Sequence, residues 1–451
     1  MVEIPIKMYI QNLAKAAHEA ARPLALVSTQ TRTSVLEEIA SQLESQREQI
    51  VEANDGDLQA IPKDIEPDAY RQALERIRVT EEDISRIAGH VREIAAEPDP
   101  TGEISEGWLT VDGLQLSKVR VPIGVIAIIS DFGPDVVAES LAMCLRSGNV
   151  GIIRGGKDWF LTNTAVARIF KDRVESAEIP IAAATFLERP DRDGILELTK
   201  LPKHINGVIP RGGAGLRRAV IEQSRVPVLG YDGGPCHVYI DGDADLPLSQ
   251  SVVVNSKIQD PSASNAADTL LVHQAMGRQL LPGLLRRLLE EFQVNVIGCP
   301  KTVALMGMME MTGHKGIKTA TEEDWGAKFQ SLTLAIKIVK DFDEGLDHIA
   351  RYGPGHTDVI VTRDYATAMR FVREVDSSAV FVNASTRLNS GDQMGMGREI
   401  GQNSSHFHLR GPLTLKALTT EKYVGLGTGQ LRHPHPVPQA YQDAMMLSAK
   451  F

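Results

Sequence analysis

The sequence predicts an α/β protein built around a parallel, doubly wound sheet, and three observations lead to that class. Short β-branched runs, "IGVIAIIS", "GNVGIIRGG", "HINGVIPRGG" and "VPVLGY", alternate with helical stretches such as "VVAESLAMCLRSG" and "AGLRRAVIEQSR". Runs with no polar face belong to strands covered on both sides, and crossover helices do the covering. Residues 6–98 carry helical periodicity only, which gives a helical layer to pack on such a sheet. At 451 residues the chain exceeds the ~100–200 residues of one domain, so two or three domains are expected.

In chain order, "TSVLEEIASQLESQREQIVEAN" places Val35, Leu36, Ile39, Leu43, Ile50 and Val51 close to a 3.6 period. Ser34 with Glu37 reads there as a capping box, and Thr80 as the cap of "TEEDISRIAGHVREIA". "WLTVDGLQLSKVRVP" then alternates around Asp112-Gly113, a hairpin signal. The first strand–helix series follows. A second α/β block starts near "CHVYIDGDADL" and takes in "ADTLLVH", "TVALMG", "LTLAIKIV", "TDVIVTR" and "SAVFVNAS". The Pro- and His-rich "HPHPVPQ" reads as a surface segment, since His pairs without a third ligand make a weak metal site.

Composition excludes several classes. A net charge of −10 argues against a general nucleic-acid or membrane-surface binder. Cys144, Cys236 and Cys299 have no CxxC spacing, so neither a disulfide framework nor a metal site is expected, and a reducing compartment is. The first residues lack the charged and apolar regions of a signal peptide, and no apolar run nears the ~20 residues of a membrane span. The expectation is a cytoplasmic protein.

Three strands end in glycine-rich turns: "IIRGGKD", "VIPRGGAGLRRAV" and "GYDGGPCHVY". Glycine lets backbone amides approach a phosphate, and a helix starting there adds partial positive charge. Arg154, Gly155, Gly156, Lys157, Pro210, Arg211, Gly212 and Gly213 are therefore candidate nucleotide contacts. Lys157 could reach a ribose or 2′-phosphate, or be a solvated surface charge. "RGGAGL" is either a nucleotide loop or a plain tight turn. The C-terminal strand edge that these loops share is where open α/β sheets bind ligands.

Many motifs in fixed order carry a resemblance. "KVRVPIGVIAII", "LRSGNVGIIRGG", "VIPRGGAGL", "VPVLGYDGGPCHVYIDGDADL", "PSASNAADTLLVH", "YGPGHTDVIVT", "AVFVNASTR", "GREIG" and "RGPLTLKALTT" closely resemble the γ-glutamyl phosphate reductase family of the aldehyde dehydrogenase superfamily, from about Ala14 to Arg432. The resemblance implies an aldehyde dehydrogenase-like fold. Its parts are a Rossmann-like NADPH domain (1–107 and 121–232), an α/β catalytic-type domain (233–402), and a β-hairpin oligomerisation arm (108–120 with about 403–451). It further implies NADPH as cofactor, a small acyl phosphate or aldehyde as substrate, and a homodimer or higher homo-oligomer; a protein partner is left open. Glu399 of "GREIG" fits the superfamily's ribose-contacting glutamate, with a structural salt bridge as the rival reading. His356 and Asp358 also match, and Cys144 and Cys236 stand where the family often has a structural cysteine.

At the catalytic positions the sequence departs from the family. Its loop "QRPSxCNA" reads "QDPSASNA" here, so Ser264 stands at the cysteine, Asp260 at an arginine, and Asn265 is kept. "ESRPN" reads "DFGPD", placing Gly133 at an arginine and Asp135 at the oxyanion-donating asparagine. A serine hydroxyl needs a paired base that a cysteine thiol needs much less, and no GxSxG elbow surrounds Ser264. Losing one oxyanion donor costs about 10²–10³ in rate. An engineered Cys→Ser change would explain Ser264 but not Gly133, Asp135 or Asp260, so natural divergence is the reading. Three functions follow: a reductase with altered or impaired chemistry, a silent nucleotide-binding, regulatory or structural relative, and a repurposed acyl transferase or hydrolase.

Overall fold

The computed structural model describes residues 5–189, 192–230, 233–308, 316–432 and 439. The His- and Pro-rich stretch at 433–438 lies outside them. The N-terminal layer comprises α1 (Ile6–Ala25), α2 (Thr29–Ser45), α3 (Arg47–Gln59), α4 (Pro67–Ile77) and α5 (Glu81–Ala96). Helices α2 and α5 pack through Val35, Leu36, Ile39, Ala40 and Leu43 against Ile84, Ile87, Ala88, Val91 and Ile94, all buried. Each large side chain buried this way contributes about 1.5–3 kcal/mol.

Thr80 caps α5 in a full capping box with Asp83, as its sequence indicated. The box expected at Ser34 is not one: α2 already begins at Thr29, where the Ser28 side chain accepts from Thr31 N, so Ser34 lies within the helix. The helical run also breaks at Gln46, which puts Ile50 and Val51 on α3.

Strand β1 (Ile104–Leu109) and β2 (Gln115–Pro122) form the hairpin, with Gly113 at φ +79 in its turn. The first parallel series is β3 (Val125–Ser130), α6 (Pro134–Arg146), β4 (Val150–Arg154), α7 (Phe160–Ser176), β5 (Ala184–Phe186), α8 (Arg192–Leu198), β6 (Gly207–Arg211) and α9 (Ala214–Gln223). Its sheet runs β5-β4-β3-β6, with β3 and β4 buried along their whole lengths. "VPVLGY" adds only a bridge, Val208 to Val228, rather than a full strand, because Pro227 has no N–H for the ladder.

The second series is β7 (Cys236–Ile240), α10 (Leu246–Ile258), β8 (Ala267–His273), α11 (Gln274–Arg286), β9 (Asn295–Gly298), α12 (Pro300–Met308), β10 (Ile317–Thr319), β11 (Thr333–Val339), α13 (Phe342–Tyr352), β12 (Thr357–Val361), α14 (Tyr365–Glu374) and β13 (Ala379–Val382). Its sheet is β10-β9-β11-β8-β7-β12-β13, parallel throughout. The "TVALMG" stretch of the second block is helical and belongs to α12. Pro300 starts that helix, where a missing N–H does no harm.

The chain then returns to the first unit. β14 (Glu399–Asn403) and β15 (Gly411–Thr414) pair, and Ile400, Leu413, Leu415 and Leu418 join the core of the four-stranded sheet. β16 (Thr419–Leu426) leaves it to pair with β2, giving a three-stranded antiparallel sheet β1-β2-β16. This return sets Glu399 opposite the end of β6.

Candidate active-site cleft

The loop between α10 and β8 is fastened from within. Asp260 Oδ1 accepts from Ser262 N (3.1 Å) and from Ser262 Oγ (2.7 Å), and Ala266 N donates to Ala263 O. Asp260 thus closes the turn. Ser264 is half-buried on a cleft wall, and its Oγ makes no hydrogen bond with any described residue. Asn265 is buried; its Nδ2 donates to Asn389 O (2.9 Å) and its Oδ1 accepts from Arg387.

Beneath this loop lies a buried ionic cluster. Lys328 Nζ donates to Asp268 Oδ2 (2.6 Å) and to Ala266 O (2.8 Å), while Lys257 Nζ donates to Ala267 O (3.0 Å) and stands 3.9 Å from Asp268. Burial pulls the Lys257 ammonium down to about 8. Cys236 Sγ contacts Ser264 O (3.3 Å) from below. Burial pushes that thiol, and the Cys144 thiol, up to about 12. Cys299 is buried against Thr302. The Cys144 and Cys236 thiols, held this far above neutrality, are no nucleophiles. Asp358 binds His237 Nδ1 (2.7 Å), while His356 rests on Thr357 and is held near 3 by burial.

The cleft holds about 340 Å³ and is walled by both α/β units. It collects six of the residues singled out in the sequence: Pro210, Arg211, Gly212, Ser264, Asn265 and Glu399. Arg211, the last residue of β6, lies 5.9 Å over the Phe132 ring with its buried Nε lacking a partner among the described residues. Glu399 Oε2 accepts from Gly391 N (2.9 Å) and Gln402 Nε2 (2.8 Å); burial raises its carboxyl above the usual range. Gln402 Nε2 also donates to Asn389 O (3.1 Å). One hydrogen-bonded chain therefore joins Glu399 to Asn265 beside Ser264.

Six other candidates lie outside the cleft wall. Arg154 is buried, donating from Nη1 to Ser130 O (2.8 Å) and Asp131 Oδ1 (2.9 Å), which ties the ends of β4 and β3 together. Gly156 N donates to Phe132 O, and a Cβ on Gly156 would stand 2.5 Å from Asp131 O. At Gly155 a Cβ would meet the Asn163 amide at 2.4 Å. Both glycines serve close backbone approach. Lys157 is exposed, and Gly213 caps α9 with no side chain to fill the first-turn N–H groups. Asp135 lies in the first turn of α6, where burial, with help from Glu139, raises its carboxyl. Gly133 packs against Trp159, whose ring a Cβ there would meet at 3.3 Å, so a side chain in that place requires the indole to shift by a few tenths of an ångström.

Sequence reasoning missed Arg387. Its Nε donates to Gln259 Oε1 (2.7 Å), its Nη1 to Asn265 Oδ1, and its Nη2 is 3.7 Å from Asp260. The residue belongs to "NASTR", but the contacts span 122 to 128 residues, beyond any local signal.

Residues 7–302 match the model of the aldehyde dehydrogenase family. A γ-glutamyl phosphate reductase of Thermodesulfovibrio yellowstonii is 38% identical over 95% of this chain and 99% of its own. That of Heliobacterium modesticaldum is 40% identical over 93% and 97%. The crystal structure of γ-glutamyl phosphate reductase from Thermotoga maritima superposes with a TM-score of 0.87 at 36% identity, covering 94% of this chain and all (100%) of that one. A probable aldehyde dehydrogenase from Listeria monocytogenes, at 14% identity and a TM-score of 0.68, shares the fold.

Proposed function

We propose a function from one premise: the chain belongs to the aldehyde dehydrogenase family, and within it to the γ-glutamyl phosphate reductases. In our reading it is an oxidoreductase that takes a small acyl phosphate or aldehyde into this cleft with NADPH. Its chemistry runs through Ser264 and is impaired by it. The single observation carrying this is Ser264, which lines the cleft and whose Oγ has no hydrogen-bonded base among the described residues.

The residues present suit a nicotinamide nucleotide. Pro210, Arg211 and Gly212 line the cleft at the end of β6, Gly213 leaves the α9 amides open to phosphate, and Glu399 offers a carboxylate to ribose hydroxyls. When bound, the nucleotide supplies hydride. Lys157 completes the candidate set from the end of β4.

An acyl phosphate needs a nucleophile to expel phosphate, and a neutral hydroxyl is poorly suited to that task. Asp135, at the family's oxyanion position, offers no amide donor. Ser264 and Asp135 also support a second reading, a silent member that keeps nucleotide binding for a regulatory or structural role. NADPH titration, followed by turnover with glutamate-5-semialdehyde in wild type and in Ser264→Cys with Asp135→Asn, separates the readings. We expect binding in both proteins, weak turnover in wild type, and at least about 10²-fold more in the double variant. Wild-type turnover equal to that of the double variant refutes the impairment, and none at all in wild type favours the silent reading.

The β1-β2-β16 sheet exposes Trp108, Leu109, Tyr423 and Leu426, which fits an arm covered in a homodimer or higher homo-oligomer. Light scattering on the purified protein tests that. No described helix is long and apolar enough to cross a membrane.

A further inference from the structure

The cleft wall carries Arg211, Arg217 and Arg387 against one carboxylate, Glu399, so it holds a cationic excess although positions 133 and 260 carry no arginine. Arg217, on α9, donates to Gly212 O just before the helix. Arg387 differs from it. Two of its nitrogens clamp the Ser264 loop on either side, at Gln259 and Asn265, while Nη2 makes no hydrogen bond among the described residues and stands 3.7 Å from Asp260, the nearest of three carboxylates (with Asp392 and Glu399) that act on the guanidinium. Asp260 keeps its place in the turn without Arg387, because its Oδ1 accepts twice from Ser262 and only Oδ2 faces the guanidinium. A guanidinium with one edge fixed and the other held by a loose, replaceable carboxylate is prepared for an incoming anion.

We propose that Arg387 reads the phosphoryl group of the ligand, and that Asp260 is its built-in competitor, displaced when that anion enters. The inference rests on the proposed function for the choice of a phosphoryl group over other anions. Charge and geometry support it. Arg387 is anchored to the residue next to Ser264, so an anion on Nη2 stands beside the side chain expected to meet the acyl carbon. Asp260 lowers affinity without being needed for the grip. It also selects against weakly charged anions, which displace it poorly.

The test is binding of inorganic phosphate at fixed low ionic strength, followed by calorimetry or ³¹P line broadening, with circular dichroism to confirm folding. Asp260→Asn keeps the oxygen that accepts from Ser262 and removes the competing charge. It is expected to tighten phosphate about fivefold, in line with a partly exposed ion pair. Arg387→Lys keeps the charge but cannot both clamp Gln259 and hold an anion, and is expected to weaken phosphate about tenfold. In an Arg387→Gln background, Asp260→Asn should change nothing. Equal tightening in both backgrounds would show a general field effect and overturn the assignment. So would unaltered affinity in Asp260→Asn and Arg387→Lys, or no phosphate binding at all. These are binding readouts without turnover: if the activity test fails while this pattern holds, the proposed reaction falls and the anion site stands.

Discussion

Replacing Asp268 by Asn tests the ionic cluster that supports the Ser264 loop. Asp268 is fully buried and accepts from Lys328 Nζ (2.6 Å), Cys236 N (3.2 Å) and Phe329 N (3.2 Å), with Lys257 at 3.9 Å. The substitution leaves two buried ammonium groups without a counter-charge, and its NH₂ faces donors where a carboxylate oxygen had accepted. Breaking a buried pair costs about 3–5 kcal/mol, a large fraction of the ~5–15 kcal/mol that holds a protein folded. Equilibrium urea unfolding followed by circular dichroism should show a loss of that size. Lys257→Met should behave oppositely, being neutral or stabilising by about 1–4 kcal/mol at pH 7, since one carboxylate already has Lys328. The Lys257 ammonium lies near 8 when folded against 10.5 for the ordinary group. The unfolded chain therefore binds more protons between those values, and wild type should gain on Lys257→Met as pH rises through that window. A loss below about 1 kcal/mol in Asp268→Asn, or a strongly destabilised Lys257→Met, would refute this account of the cluster.

Three further outcomes are expected. Gly156→Ala places a Cβ 2.5 Å from the Asp131 carbonyl oxygen, a backbone atom that cannot swing away; it should lower the melting temperature markedly, and an unchanged melting point would contradict the close approach. Ser264→Cys should give one thiol that reacts quickly with Ellman's reagent in the native protein while wild type gives none, because Cys144, Cys236 and Cys299 are all buried. Thr80→Ala removes one half of the capping box on α5 and should cost about 0.5–2 kcal/mol by chemical denaturation.

Much of the frame was legible because its signals are local. The Thr80 box, the Asp112-Gly113 turn and the β-branched strands depend on neighbours within a few residues. Ser34 was misread for a related reason: a competing local signal, Ser28, decided that helix start. The two glycines after β4 were legible as a tight approach but not as to what approaches. That proved to be the Asp131–Phe132 backbone and Asn163.

The sequence by itself determined the α/β class, the family, and the residue types that stand at Gly133, Asp135, Asp260 and Ser264. These are matters of residue identity and short-range pattern. Tertiary structure alone decided which of the named residues share a cleft. Arg154 turned inward to Asp131, and Glu399 came back across the chain to face β6. Arg387 reached the Ser264 loop from more than a hundred residues away. The physical reason is that a guanidinium takes whichever acceptor the packing of two sheets brings within about 3 Å. Strand order, fixed only when the whole core is buried, chooses that acceptor.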